Sequence, residues 1–274
     1  MRRNRKVQEL TIYTLDIFID FCKKNNLRYY FTGGALIGVR RHQGFIPWDD
    51  DIDVVMPRSD FDRFHELLFL KMPEGFGICN RYTDPNWHFA MSQFIDKESE
   101  IEINLAEHPR KAHIWIDVFP LDGLPSNSFK RWLRVKEILL HRYLVQIAYI
   151  STQVDVHRSR TIIEKIVLKF FKTIPIGKLI NTNSVIDHME KVLRRIDFYE
   201  SKYCGNMLGR YREREVVPTE WFGEPKRGLF EGMEVSIPAE GHKILTAIYG
   251  DYMQLPPEEE RVAHNVNIIK SRSI

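Results

Sequence analysis

Four carboxylates crowd into five positions at Asp49-Asp50-Asp51 and Asp53, between the apolar runs Phe45-Ile46-Pro47-Trp48 and Val54-Val55-Met56. On an extended strand such charges repel one another strongly unless a cation sits among them. Strand side chains alternate faces, so the spacing predicts Asp51 and Asp53 on one side and Ile52 and Val54 in the core. An all-oxygen platform of this kind suits magnesium, with manganese as the alternative. A third acid, Asp117, stands alone in the apolar run Ile114-Trp115-Ile116-Asp117-Val118-Phe119. A buried carboxylate is costly unless it is paired or metal-bound, which makes Asp117 the third candidate ligand and a salt bridge to an arginine its plain alternative.

Other readings of the acids fit less well. A solvated acidic turn is the commonest use of such clusters, but the flanks here are strongly apolar. A calcium loop starting at Asp49 would place Val54 where glycine is needed and Asp60 where glutamate is needed. The Asp-x-Asp motif of a nucleotide-sugar glycosyltransferase would need a nucleotide-binding half-domain before it, and too few residues precede it.

Gly33-Gly34 falls between a short aromatic strand, Leu27 to Thr32, and a helical turn from Ala35. A diglycine there lets backbone approach a phosphate closely and presents the unpaired N–H groups of a helix N-terminus. Arg40, Arg41 and His42 lie between the diglycine and the acids, where a polyphosphate would lie; an exposed basic loop is the alternative for Arg40.

The elements that must position these groups follow from periodicity. Val7 to Asn25 reads as a helix with Leu10, Thr14, Ile17, Phe18 and Phe21 on one stripe. Ser59 reads as the cap of a helix burying Phe61, Phe64, Leu67 and Leu68. Residues 76–119 are strand-rich, and Pro120-Leu121-Asp122-Gly123 reads as a turn. Trp132, Val135, Leu139, Leu140, Tyr143 and Ile147 run along one helix. Ile162, Ile163, Ile166, Val167, Phe170 and Phe171 run along a second, accompanied by Lys165, Lys169, Lys172 and Lys178. The second could rest on an anionic membrane face, although packing on the sheet is the commoner use. Ser184 to Arg195 and Gly241 to Ile248 read as further helices.

The composition, 43% hydrophobic and 28% charged over 274 residues, is that of a globular protein with a sizeable core. A net charge of +3 is too mild to argue for nucleic acid, yet it suits an anionic substrate or membrane surface. Cys22, Cys79 and Cys204 are widely spaced, so neither a disulfide framework nor a zinc site is expected, and the cytoplasm is the expected compartment. No apolar run reaches bilayer-spanning length.

Three stretches together resemble the signature of the LicD family, which is similar to the fukutin-related phosphotransferases and falls in the nucleotidyltransferase superfamily. They are Thr32 to Gly38 with Arg41 to Val54, then Trp115 to Gly123, then Tyr249-Gly250-Asp251-Tyr252-Met253 with Leu255-Pro256-Pro257. Arg40 departs from the pattern, which has an apolar residue there. The resemblance implies an α/β (α+β) nucleotidyltransferase-type mixed sheet with flanking helices. The expected division is a catalytic core over 1–128, a helical extension over 129–200 and a segment over 201–274 that completes the catalytic domain.

It further implies transfer of phosphocholine from CDP-choline to a sugar hydroxyl of a glycan or lipid-linked glycan precursor, of teichoic acid or lipopolysaccharide type, with CMP leaving. Asp51, Asp53 and Asp117 would be catalytic and metal-binding. Gly33, Gly34, Arg41 and His42 would bind substrate. Location is expected in the cytoplasm, with peripheral contact at the inner membrane face. The alternatives are another CDP-alcohol donor carrying ribitol or glycerol phosphate, a nucleotidyltransferase that uses an NTP and releases pyrophosphate, and a non-catalytic nucleotide-binding scaffold. A choline cargo calls for an aromatic cage, and Trp48, Tyr82, Trp87 and Trp115 are the candidates.

Overall fold

The computed structural model describes residues 2–85, 87–103, 109–149, 180–261 and 266–272. The apolar stripe at the N-terminus forms helix α1 (Arg2–Lys24), whose Leu15, Phe18 and Phe21 pack with Phe64, Phe94, Ile116 and Val118. Strand β1 is only Tyr30–Phe31, shorter than the aromatic run suggests, and α2 (Gly33–Arg41) begins at the diglycine. Strand β2 (Asp53–Pro57) starts at Asp53, so Asp49 to Ile52 lie in the connection before the strand rather than on it.

Helix α3 (Arg58–Glu66) follows without a side-chain cap, because the chain leaves β2 directly into the helix at Pro57. Ser59 is therefore inside the helix. Asp60 accepts the Arg28 backbone N–H at 3.0 Å, while Phe61 and Phe64 are buried as expected. Strands β3 (Phe76–Cys79), β4 (Ser92–Ile103) and β5 (Arg110–Leu124) complete the middle of the sheet. The strand order is β1-β2-β5-β4-β10, where β10 is Val266–Lys270, and β3 pairs with β4. Strands β2 and β5 are parallel and the other pairs antiparallel, so the mixed α/β class expected from the sequence is the class observed.

The expected turn at Pro120-Leu121-Asp122-Gly123 is strand instead. Leu121 and Leu124 are core residues, and Asp122 to Leu124 pair with β6 (Tyr203–Gly205), which in turn pairs with β7 (Val216–Pro218). Gly123 is glycine for space, since a Cβ there would sit 2.5 Å from the Asp197 carbonyl oxygen.

Helices α4 (Ser128–Ala148) and α5 (Thr182–Leu193) pack on each other through Val135, Ile138, Leu139, Ile186, Met189 and Val192. Of the expected α4 stripe, Val135 and Leu139 are buried, but Trp132, Leu140 and Tyr143 are exposed, because the buried face is turned by one position to include Ile138. The expected second helix around Ile162 to Phe171 lies outside the described residues. A hairpin of β8 (Lys226–Phe230) and β9 (Met233–Ile237) leads to α6 (Gly241–Tyr249), which packs on α2. Among the described residues no helix is long and apolar enough to cross a membrane.

Candidate active site

The parallel pairing of β2 and β5 sets Asp53 directly beside Asp117. On β5 the alternation is clean: Ile114, Ile116 and Val118 are buried toward α1, so Trp115, Asp117 and Phe119 share the opposite face. Asp51 joins from the preceding connection. Carboxylate oxygens of Asp51, Asp53 and Asp117 all come within 4.8 Å of one another, close enough to share one cation.

Several groups hold these acids in place. The connection carrying them is tied to α1 by Gln8, which donates to the Asp49 carbonyl at 2.7 Å, and rests against Thr11, whose hydroxyl donates to the Val7 carbonyl at 3.0 Å and lies 3.5 Å from the Asp50 carbonyl. Both residues are buried, with Thr14, on the largely apolar face of the helix. Asp117 receives hydrogen bonds on both oxygens, from Gln93 Nε2 at 2.9 Å and from Trp115 Nε1 at 2.8 Å, and these orient its carboxylate plane. Asp53 carries the electrostatic consequence: burial first, then the charges of Asp51, Asp117, Asp49 and Glu215, push its carboxyl well above the usual carboxylate range. Three acids converging with one of them forced toward its neutral form is the condition a divalent cation relieves. The all-oxygen donor set fits magnesium or manganese.

The first turn of α2 is flush against the acids. Gly33 has φ +56°, and a Cβ on it would lie 3.1 Å from Asp53 Oδ2 and 3.7 Å from the Tyr249 hydroxyl; a Cβ on Gly34 would run into the Asp49 carboxylate. Only glycines let this helix start lie so close to the carboxylates. Arg41 and His42 stand at the other end of α2, about 12 Å along its axis. There Arg41 Nη1 donates to the Tyr252 carbonyl at 2.8 Å and Arg41 Nε to His42 Nε2 at 2.9 Å. Burial lowers the pKa of both, and the Arg41 charge adds to the effect on His42. The structure thus brings together Gly33, Gly34, Asp51, Asp53 and Asp117, and sets Arg41 and His42 apart. Arg40 is exposed and reaches the start of α6 near Gly241.

Two residues near the acids carry no expectation from sequence. Glu215 is buried at the end of the turn Arg212–Glu215 and accepts the Tyr211 N–H at 2.8 Å; burial raises its carboxyl to about 7, against the lowering effect of that hydrogen bond, Arg142 and Asn206. Tyr249 packs edge-on against Tyr211, and burial, followed by the Tyr211 and Asp53 charges, raises its phenol. Tyr249 lay within a recognised motif, but Glu215 lies in a polar, basic stretch whose pattern gives no sign of burial.

A cavity of about 370 Å³ opens beside Asp117, between the β4–β5 rim and the α4–α5 pair. Trp87 lines it, with its Nε1 donating to the Met91 carbonyl at 2.9 Å. Of the other aromatic candidates, Trp115 is engaged with Asp117, Trp48 lies beneath the Arg261 guanidinium, and Tyr82 is exposed beside Arg81.

A helix start brought close by glycines to paired strand carboxylates, on a mixed sheet, forms the candidate site. Residues 26–143 match the family described as LicD/FKTN/FKRP, nucleotidyltransferase domain. Over these residues the chain is similar to that family. Over 96% of its length it is 29% identical to the lipopolysaccharide cholinephosphotransferase LicD of Haemophilus influenzae, covering 96% of that protein. It is also 42% identical over 106 residues to an uncharacterised protein of Rickettsia prowazekii, which is 39% of this chain and 36% of that one.

Proposed function

We propose that the protein transfers phosphocholine from CDP-choline to a sugar hydroxyl of a cell-surface glycopolymer precursor, releasing CMP. The observation that carries this reading is the convergence of Asp51, Asp53 and Asp117 beside a glycine-opened helix start. The nearly full-length likeness to a lipopolysaccharide cholinephosphotransferase supports the cargo and a glycan acceptor.

In this reading Asp51, Asp53 and Asp117 hold magnesium, which when bound neutralises charge on the donor phosphates and the leaving group. The first-turn amides of α2 at Gly33 and Gly34 receive the diphosphate. Arg41 and His42, a helix length away, serve the nucleoside end of the donor. Asp117, oriented by Gln93 and Trp115, takes the proton of the attacking hydroxyl. The reaction takes place in the cytoplasm, on an acceptor presented at the inner membrane face.

Calorimetric titration of the purified chain with CDP-choline, with and without magnesium and beside CDP-ribitol, CDP-glycerol and CTP, tests the donor. Magnesium-dependent binding selective for CDP-choline is expected. Selective binding of CTP, or pyrophosphate release on turnover, would replace this reading with nucleotidyl transfer.

A further inference from the structure

The cavity beside Asp117 has a definite place relative to the donor. In the order β1-β2-β5-β4, the diglycine follows β1, Asp51 and Asp53 lie at the start of β2, Asp117 is on β5, and the cavity lies beyond it against β4 and the α4–α5 pair. In phosphoryl transfer the attacking and leaving oxygens are roughly in line on opposite sides of phosphorus. A nucleotide leaving on the diglycine side therefore puts the attacking hydroxyl on the cavity side, next to Asp117.

The lining shows what enters. Trp87, Phe89 and Phe119 present aromatic surface, and Phe119 shares the β5 face of Asp117 two residues on. Such rings suit the C–H faces of a sugar. Arg110 and Arg142 bring two guanidinium groups to the same cavity, and Gln146 adds an amide. Arg142 is fixed in place by donating from Nη1 to the Met207 carbonyl at 2.7 Å, and burial depresses its pKa despite the nearby Glu215. Two arginines repel a quaternary ammonium, whereas a planar guanidinium pairs well with phosphate or carboxylate.

We propose that this cavity receives the acceptor and that the acceptor is an anionic glycan, its phosphate or carboxylate engaging Arg142 and Arg110 while a sugar ring lies against Trp87, Phe89 and Phe119. The inference rests on the phosphocholine-transfer reading for which side the hydroxyl approaches from. The cavity's preference for an anionic sugar can be measured without turnover.

The test is the affinity of the full chain for glucose, glucose 6-phosphate, glucuronic acid, inorganic phosphate and choline, followed by ligand-observed NMR. At least one anionic sugar is expected to bind about tenfold or more tightly than glucose and than inorganic phosphate, and which one wins separates phosphate from carboxylate. Arg110→Gln with Arg142→Gln should bring that preference to within about twofold of glucose, and Phe119→Ala should weaken every sugar alike. Because Arg142 also holds the Met207 carbonyl, Arg110→Gln alone, at an exposed position, is the second variant, and it should lower the preference about threefold or more. Equal binding of glucose and the charged sugars, or a preference that survives in the folded double variant, would overturn the proposal. A chain that shows the anionic preference but does not bind CDP-choline would retain the acceptor cavity and lose the donor reading, so the two failures are distinguishable.

Discussion

Asp117 and Asp122 stand five residues apart on β5, both in apolar sequence, and the fold treats them oppositely. Asp122 is 1% exposed, and its two oxygens accept from Arg58 Nε and Nη2 at 2.6 and 2.7 Å, a bidentate pair that neutralises the charge within the chain. Asp117 instead faces Asp51 and Asp53, and the donors that orient it, Gln93 and Trp115, are neutral. One acid is balanced by the protein itself. The other converges with two further carboxylates, at a point where one cation could bridge all three. The comparison separates a carboxylate that builds the fold from one that the fold holds for use.

The largest effect is expected at the second kind. Asp53→Asn should lower transfer by roughly 10³-fold or more, about 4 kcal/mol of barrier, in a CMP-release assay. In chelator the same variant should unfold no earlier than the native chain, since relief of repulsion raises stability; a markedly less stable variant would place Asp53 with Asp122 instead. Asp122→Leu should do the reverse and cost about 3–5 kcal/mol in urea unfolding, by leaving Arg58 buried without its counter-charge. The double change Arg58→Met with Asp122→Leu should recover most of that loss.

Two buried titrating groups sharpen the contrast with pH. The Glu215 carboxyl is raised to about 7, so its contribution to stability is complete below its unfolded value and disappears as pH rises through about 7, by roughly 3 kcal/mol. Burial lowers His65, hydrogen-bonded to Ser92 Oγ at 2.7 Å, to about 4, so its contribution is complete above its unfolded value and disappears as pH falls toward 4, again by roughly 3 kcal/mol. The two slopes oppose each other between pH 4.5 and 6.5. Urea midpoints for Glu215→Gln should therefore rise more steeply with pH than those of the native chain, and those for His65→Gln less steeply. The smallest effect is Gly33→Ala, where a left-handed φ costs about 1 kcal/mol of stability. Its Cβ, close to Asp53, should weaken donor binding measurably by calorimetry.

The acids and the diglycine were legible because each is a local pattern: clustered carboxylates, glycines at a strand-to-helix junction, an isolated Asp in an apolar run; the strand period expected to align Asp51 with Asp53 does not apply, since the strand begins at Asp53. What was not legible depends on partners distant in sequence. The buried acid that pairs with an arginine is Asp122, hidden in a stretch whose Pro, Asp and Gly all favour turns until β6 pairs with it. Gln8 and Thr11 look like ordinary breaks in an apolar stripe, and only the tertiary fold shows Gln8 holding the acid connection and Thr11 lying against it. Glu215 becomes a buried acid through packing that no spacing in its own segment records.

The parallel pairing of β2 with β5 also bears on the order of folding. Asp53 and Asp117 meet only after the whole β3–β4 excursion has been laid down between them, a non-local closure of the kind that slows folding. Closing that pair also brings like charges together, and their repulsion opposes the step. A divalent cation present during refolding should act on that step more than on any local one, and a cation that binds the three acids would then speed the completion of the sheet that holds them.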